Sequence, residues 1–233
     1  MKYYKILRLS FLFLFIPCYS QEEPNLILSY VEESEISFYQ YPEDTFVKKI
    51  YTSQSEVITE YPEQLLESII SATNQEWVNY NTLGGEEKAS KKNDSHFERV
   101  RKMNRDSNYF RLSHKLSFMM GGIPTVMIKF FTHFENMEEL SGVAVMQKVD
   151  NRWQKTSHPS LSTLSIIVMR IKSEVLEGVV LQNSNNPDIV SIAERVNTEQ
   201  GLDFTLLEEE FASWYSPEKD EIKINLYKDP KSW

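Results

Sequence analysis

The feature that most constrains the fold of this 233-residue chain is a two-residue rhythm of apolar and polar side chains between Tyr109 and Ser157. Successive side chains of a β-strand point to opposite faces of a sheet, so this rhythm predicts strands with an apolar face. The stretch YFRLSHKLSFMM alternates first, TVMIKFFTHFE follows the turn GGIP, and GVAVMQKV alternates again. The middle of the chain is therefore predicted to be an antiparallel block.

A short polar pair, Asp150-Asn151, separates GVAVMQKV from RWQKTS. Two alternating runs joined by such a pair are typical of a β-hairpin. We expect the stretch from Met146 to Ser160 to contain the last hairpin of a four-strand meander, with Trp153 packing across it. This hairpin could close the wall of a binding pocket or form only the edge of a sheet, and the sequence leaves both roles open.

Strict alternation would place one ionisable side chain on an otherwise apolar face of the first strand. The predicted members of this face are Phe110, Leu112, His114, Leu116 and Phe118. An imidazole titrates near neutrality, so His114 is the candidate general base, and the apolar members together with Trp153 are the candidate ligand-binding residues. Because the sequence identifies no acidic partner for His114, a core or rim histidine bonded to a backbone carbonyl is the favoured interpretation.

Helical patterns precede the strands. YPEQLLESIISATNQEWVNY predicts one long amphipathic helix that begins at Pro62 and ends at the glycines of TLGG. SHFERVRKMN predicts a short second helix in which Ser95 and Glu98 form a capping box. Residues 21–60 give no clear prediction, because helical and extended patterns compete there.

The segment after residue 160 is predicted to be mainly helical. Apolar residues recur at helical spacing from Leu164 to Val179, although the run IIVM has the composition of a strand. Asn186 and Pro187 predict the cap and first residue of the next helix, and Thr205 with Glu208 predicts a further capping box. EIKINLY alternates and would return a strand to the sheet.

A long amphipathic helix, a short helix and a four-strand meander ending in an R-W-x-K hairpin resemble the nuclear transport factor two-like (SnoaL-like) cone fold. The resemblance rests on PEQLLESIISATNQEW, YFRLSHKLSF and VMQKVDNRWQKTS and covers residues 62–158. It implies a curved sheet around an apolar pocket, in a group that includes pocket enzymes and modules without known catalysis.

The predicted architecture is α+β, with N-terminal helices packed on a curved antiparallel four-strand meander and a C-terminal helical extension. The predicted parts are an N-terminal segment at 21–61, a cone-like α+β domain at 62–158, and the helical extension at 159–233 packed on that domain. Residues 1–20 precede these parts and have the pattern of a targeting segment.

Residues 1–20 have the pattern of a secretory signal peptide. Three basic residues surround the start of an apolar run from Leu7 to Ile16, and Cys18 and Ser20 are small residues before a predicted cleavage site at Gln21. We therefore expect an exported bacterial envelope protein, periplasmic or secreted. A lipid anchor on Cys18 is the alternative, although Pro17 stands where a lipoprotein signal has a small residue.

Composition excludes several kinds of site. Cys18 is the sole cysteine, so the processed chain can have no disulfide, thiolate nucleophile or cysteine metal site. The formal net charge of −9 makes nucleic acid an improbable partner. His133 and Glu135 could supply two metal ligands, but zinc needs at least three protein ligands, so neither a metal nor another cofactor is expected. A solvated face shared with Lys129 is the favoured interpretation of this pair. The processed chain has no apolar run of membrane-spanning length.

These patterns lead to three hypotheses. The first is a non-enzymatic envelope protein that binds a small apolar ligand or an envelope protein. The second is a SnoaL-like pocket enzyme, an isomerase or hydrolase with His114 as general base. The third is a structural envelope component that docks through its helical extension.

Overall fold

The computed structural model describes residues 36–47, 49–135, 139–199 and 201–214. Within these residues, helices pack against both faces of an antiparallel sheet, which confirms the α+β class. The predicted signal peptide, Cys18 and the strand EIKINLY lie outside the described residues. In the part of the chain that is described, no helix is long and apolar enough to cross a membrane.

Within the described ranges, the main sheet has six strands. They are β1 (Ser37–Gln40), β2 (Phe46–Val47), β3 (Tyr109–Met120), β4 (Ile123–His133), β5 (Leu140–Val149) and β6 (Arg152–Lys155). Strands β3 to β6 pair antiparallel in chain order, and β1 and β2 both pair antiparallel with β3. Two strands thus come from the N-terminal segment, for which the sequence pattern gave no clear prediction. A separate ribbon pairs β7 (Asn197–Thr198) with β8 (Gly201–Leu202).

Seven α-helices flank the sheet in the described residues. They are α1 (Pro62–Ser71), α2 (Gln75–Tyr80), α3 (Asp94–Lys102), α4 (Ser162–Arg170), α5 (Ser173–Leu181), α6 (Pro187–Val196) and α7 (Phe204–Trp214). Short 3-10 turns lie at Gln54–Glu56, Gly85–Glu87 and Pro159–Leu161. The predicted start of α1 at Pro62 is confirmed, as is the cap of α6, where Asn186 Oδ1 accepts a hydrogen bond from the backbone N of Asp188 at 2.9 Å.

Two predicted helices are each broken into two. The first breaks because Ala72 is extended (ψ 115°) and Asn74 caps a new helix by accepting the backbone N–H of Trp77 at 2.9 Å. The second breaks where Ile171 is extended (ψ 142°) and its carbonyl oxygen accepts a hydrogen bond from Lys129 Nζ at 2.6 Å. The prediction of continuous helices was wrong because apolar spacing survives a short break, and tertiary partners stabilise the freed backbone groups.

Both predicted capping boxes are wrong, because each helix has its cap two residues earlier. Asn93 rather than Ser95 caps α3, and its Oδ1 accepts the backbone N–H of His96 at 3.0 Å. Asp203 rather than Thr205 caps α7, accepting the backbone N–H of Thr205 at 2.8 Å. Asn and Asp are at least as good at a cap as Ser and Thr, so the sequence offered two adjacent candidates.

The pairing of β3 with β4 contains a register shift that changes which side chains share a face. Leu112 pairs with Phe130, and the next paired residue, His114, lies opposite Lys129, so Ser113 is an extra residue in the strand. Beyond such a β-bulge, each side chain points to the face opposite the one that strict alternation predicts. The prediction that the five β3 residues share one face was therefore wrong.

The sheet consequently has two distinct faces. The α1 face carries Phe110, Leu112, Val126, Ile128, Met146 and Trp153, and it packs against Leu65 and Leu66 of α1. The block face carries Leu116, Phe118 and Met127, and it packs against the helical block formed by α4 to α7. His114 lies on the block face, since its register follows the bulge.

The predicted last hairpin is present. Asp150 and Asn151 both have left-handed backbones (φ 48° and 61°), as the tight two-residue connection of a hairpin requires. Trp153 is fully buried, and its Nε1 donates a hydrogen bond to the carbonyl oxygen of Glu60 at 3.1 Å. The hairpin therefore fixes the connection that leads into α1.

Candidate ligand pocket

A cavity of about 350 Å³ lies between helices α1 to α3 and the α1 face of the sheet. Its wall is mainly aliphatic and aromatic, with Leu66, Ile69 and Ile70 from α1 and Phe110, Phe130 and Phe134 from the sheet side. This volume falls in the range of small-molecule pockets, which are usually apolar with a few polar groups. We call this cavity the α1 pocket.

The aromatic wall of the α1 pocket depends on a glycine. Phe130 and Phe110 meet edge to face with ring centroids 5.4 Å apart. Phe130 pairs with Gly142 on β5, and a Cβ placed on Gly142 would lie 2.7 Å from Cζ of the Phe130 ring. A side chain at position 142 would therefore displace the ring that forms the wall.

The polar groups of the α1 pocket are strongly biased toward positive charge. Lys92, His96, Arg105 and Lys155 line it, and no Asp or Glu is among the described residues of its lining. Arg105 donates through Nη2 to the carbonyl oxygen of Ile70 at 2.8 Å, which ties this guanidinium to the end of α1. Among the described residues, none of these basic side chains forms an ion pair.

Local structure fixes the positions of the two lysines. The backbone N–H of Lys92 donates to Gln75 Oε1 at 2.9 Å, and Gln75 Nε2 donates to the carbonyl oxygen of Ser90 at 3.2 Å. Gln75 therefore holds the 90–92 segment against α2. The backbone N–H of Lys155 donates to the carbonyl oxygen of Asn81 at 2.8 Å, which joins the end of β6 to the end of α2.

The basic groups repel one another. Burial lowers the pKa of Lys155, although much of its side chain remains exposed, and the charge of Lys92 lowers that pKa further. Burial also lowers the pKa of His96, with further lowering from Lys92 and Arg99. Lys92 thus disfavours the charged forms of two neighbours, as expected where positive charges lie close together without a counter-ion.

Two buried hydrogen bonds in series orient the side chain of Asn81. Trp77 Nε1 lies 2.9 Å from Ser68 Oγ, and Ser68 Oγ lies 2.7 Å from Asn81 Oδ1. Because the indole nitrogen can only donate, Ser68 accepts from Trp77 and donates its own proton to Asn81 Oδ1. The amide group of Asn81 therefore turns Nδ2 away from Ser68. Asn81 lines the pocket, and Nδ2 is buried without a hydrogen-bond acceptor among the described residues.

The residues predicted from the sequence to bind a ligand lie on two different faces of the sheet. Phe110 lines the α1 pocket, whereas Leu112 and Trp153 belong to the packed core of the same face. Leu116 and Phe118 are buried on the opposite face, under the helical block. Their predicted roles in ligand binding stay predictions, but these residues do not form one continuous wall.

His114 is not among the residues that line the α1 pocket. Its Nδ1 lies 2.7 Å from Ser113 Oγ, which in turn lies 3.3 Å from Ser173 Oγ, and its ring centroid is 5.0 Å from that of Phe38. Burial, with a smaller contribution from the charge of Lys129, lowers the pKa of His114 to about 4. The imidazole is therefore neutral at pH 7 and a weak base, and its predicted catalytic role stays a prediction.

The block face is covered by helices rather than solvated. Lys129 was expected to share a solvated face with His133 and Glu135, but it is only 1% exposed, because α4 and α5 cover this part of β4. The ring of His133 stacks on that of Tyr109 with centroids 4.7 Å apart. Among the described residues, no group of three His, Cys, Asp or Glu side chains could hold a metal ion.

Two other cavities are lined by acidic residues as well as apolar ones. One of about 440 Å³ shares Ile70, Arg105 and Phe110 with the α1 pocket and also includes Asp106. The other, of about 560 Å³, lies between the β3–β4 turn and the helical block and includes Phe118 and Glu208. The α1 pocket differs from both, because its charged lining has a single sign.

The residues that give the α1 pocket its polarity were not predicted as site residues from the sequence. Asn81, Lys92 and Lys155 are distant in sequence, and His96 was interpreted only as part of a helix start. The charged loop EEKASKKND contains Lys92, but nothing local shows that Lys92 lies near β6. No family model, curated protein or solved structure matches this chain. The function must therefore be inferred from the geometry of the pocket.

Proposed function

We propose that this chain is an exported bacterial envelope protein that binds a small apolar ligand in the α1 pocket and does not transform it. The observation that carries the proposal is the cavity of about 350 Å³ with its aromatic and aliphatic wall. Export rests on the predicted signal peptide at residues 1–20. The resemblance to the nuclear transport factor two-like cone fold is compatible with a pocket at this position and stays a prediction.

The chemistry of the pocket favours binding over catalysis. General acid–base catalysis commonly pairs a base with an acid of matched pKa near the reacting atoms. Among the described residues, the titratable groups that line the α1 pocket are basic and include no carboxylate, and His114 lies on the other face of the sheet. A lining of this kind can hold and orient a ligand without a proton acceptor beside it.

Binding can be tested with N-phenylnaphthylamine, an uncharged probe that fluoresces in apolar surroundings. We expect saturable fluorescence with the processed protein. Val100→Trp would place a larger side chain in the pocket and should weaken binding by at least about tenfold. Val190→Trp is the matched control, because Val190 is exposed on α6 in the helical block.

Equal probe affinity in the wild type and Val100→Trp would show that the probe binds elsewhere. Absence of saturable fluorescence in the wild type would contradict the proposed function. That result would favour the predicted alternative of a structural envelope component. Fractionation of cells expressing the full chain tests export separately, since an unprocessed cytoplasmic protein would contradict it.

A further inference from the structure

We propose that the ligand of the α1 pocket is a single-chain amphiphile whose anionic head group lies beside Lys92 and Lys155. The apolar chain would contact the wall that contains Phe110 and Phe130. This inference rests on the proposed function and adds the charge of the ligand to it. The head group would be a carboxylate or a phosphate, and the tail a hydrocarbon chain.

The first argument is charge complementarity within an acidic protein. The chain has a formal net charge of −9, yet the charged groups among the described lining residues of the α1 pocket are Lys92, Arg105 and Lys155, together with His96. Because acidic residues outnumber basic ones in the chain, a typical patch of its surface would include acidic residues. An anion entering from solvent therefore meets a local positive field on a protein that otherwise repels it.

In the free protein, the basic groups of the α1 pocket repel one another. Lys92 lowers the pKa of both Lys155 and His96, so its charge disfavours the charged form of each of these neighbours. Backbone hydrogen bonds to Gln75 and Asn81 keep the two lysine backbones in place despite this repulsion. A bound anion would convert the repulsion into attraction, which a neutral or cationic ligand could not do.

The third argument is the orphaned donor of Asn81. Its Nδ2 is buried and has no acceptor among the described residues, and leaving such a donor unpaired is unfavourable. The backbone carbonyl of Asn81 accepts the backbone N–H of Lys155, so the two residues are neighbours in the wall of the pocket. Because Nδ2 is closed to water in this structure, it reaches a ligand only if the Asn81 side chain moves, and the preference for an anion depends on the two lysines.

The test is competition against N-phenylnaphthylamine with ligands that share one hydrocarbon chain and differ in the head. Decanoic acid and decyl phosphate are the anionic ligands, methyl decanoate is the neutral one and decyltrimethylammonium is the cationic one. We expect both anions to bind about tenfold more tightly than the ester and the cation to bind weakest. The two anions distinguish a carboxylate from a phosphate preference. All ligands must be used below the concentrations at which they form micelles.

Variants tie the preference to the two lysines. Lys92→Gln/Lys155→Gln should reduce the affinity for decanoic acid by about tenfold, since each partly exposed pair contributes a modest amount. The affinities for the ester and for N-phenylnaphthylamine should fall by much less than the affinity for decanoic acid, because neither of these ligands has a charge. Lys91→Gln is the matched control, because Lys91 is exposed in the same loop but does not line the pocket.

The outcomes separate the two proposals. Equal affinity for acid, ester and cation would overturn the inference while leaving ligand binding intact. An anion preference that survives in Lys92→Gln/Lys155→Gln would also overturn it. Loss of N-phenylnaphthylamine binding in the wild type would overturn both. As an independent measurement, added sodium chloride should weaken binding of decanoic acid but not of methyl decanoate, and equal salt dependence would contradict an ionic contact.

Discussion

The two faces of the sheet each bury a lysine, and the two lysines are stabilised in different ways. On the α1 face, Lys115 is 1% exposed, and its Nζ lies 2.6 Å from Oε1 of the buried Glu63. The hydroxyl of Tyr41 donates to the same oxygen at 2.6 Å. On the block face, Lys129 is equally buried, but its Nζ donates to the carbonyl oxygen of Ile171 at 2.6 Å.

Because their partners differ, the two lysines should hold their protons with different strength. Burial lowers the pKa of Lys115, but the Glu63 carboxylate opposes that shift. Burial lowers the pKa of Lys129 to about 7, with the charge of Glu174 opposing the shift. A formal charge 2.6 Å away holds a proton on an ammonium more firmly than a carbonyl dipole does.

The largest expected effect comes from breaking the ion pair of the α1 face. Lys115→Met leaves the Glu63 carboxylate buried without its cation and should lower the free energy of unfolding by about 3–5 kcal/mol. Urea unfolding monitored by tryptophan fluorescence measures this loss. The same substitution at Lys129 leaves the carboxylate of Glu174, which is exposed and stays hydrated, so Lys129→Met should be much less destabilising at pH 7.

A double-mutant cycle sharpens this comparison. Glu63→Gln removes the charge of the partner but keeps an acceptor for Tyr41. Glu63→Gln/Lys115→Met should therefore be more stable than Lys115→Met alone. Strict additivity of the two single substitutions would show that the ion pair contributes nothing beyond packing.

The second prediction concerns pH dependence on the block face. The ordinary pKa of Lys129 is 10.5 and its folded value is about 7, so the unfolded chain binds more protons between these pH values. The free energy of unfolding should therefore rise as the pH increases from 7 toward 10, by about 3 kcal/mol relative to Lys129→Met. Chemical denaturation at several pH values measures the difference, and Lys91→Met should retain the wild-type dependence. Parallel curves for the wild type and Lys129→Met would contradict a titrating Lys129.

Local signals in the sequence predicted the parts of this fold that local chemistry determines. Pro62 at a helix start, Asn186 at a cap and Asp150-Asn151 in a tight turn each depend on the conformational preference of that residue alone. The alternation of β4 likewise placed Val126 and Ile128 on one face.

The errors arose where a distant contact or one extra residue decides the outcome. The bulge at Ser113 has no local signature, yet it moves His114, Leu116 and Phe118 to the face opposite Phe110. Lys129 appears solvated from alternation alone, because alternation does not show what covers a face. The α1 pocket was missed for the same reason, since Lys92 and Lys155 meet only through the fold.

The third prediction concerns the pH dependence of stability due to Glu67, a buried carboxyl group of α1. Burial raises the pKa of Glu67 from its ordinary 4.5 to about 7, so the folded chain binds more protons than the unfolded chain between these values. The free energy of unfolding should fall as the pH rises from 4.5 to 7, by about 2 kcal/mol relative to Glu67→Gln. This dependence has the opposite sign to that of Lys129. Denaturant unfolding from pH 4.5 to 7 checks it, and identical slopes for the two proteins would contradict it.

The smallest expected effect links two groups of the block face. The charge of Lys129 contributes to the lowered pKa of His114, but burial is the larger cause. Lys129→Met should therefore raise the pKa of His114 by about one unit or less, leaving it below the ordinary value of 6.5. NMR titration of the imidazole measures this change, with Lys172→Met as the control for altering a nearby surface lysine. A return of the pKa to 6.5 would show that Lys129 rather than burial keeps His114 neutral. No change would show that the two groups do not interact, and the block face would then consist of independent titrating sites.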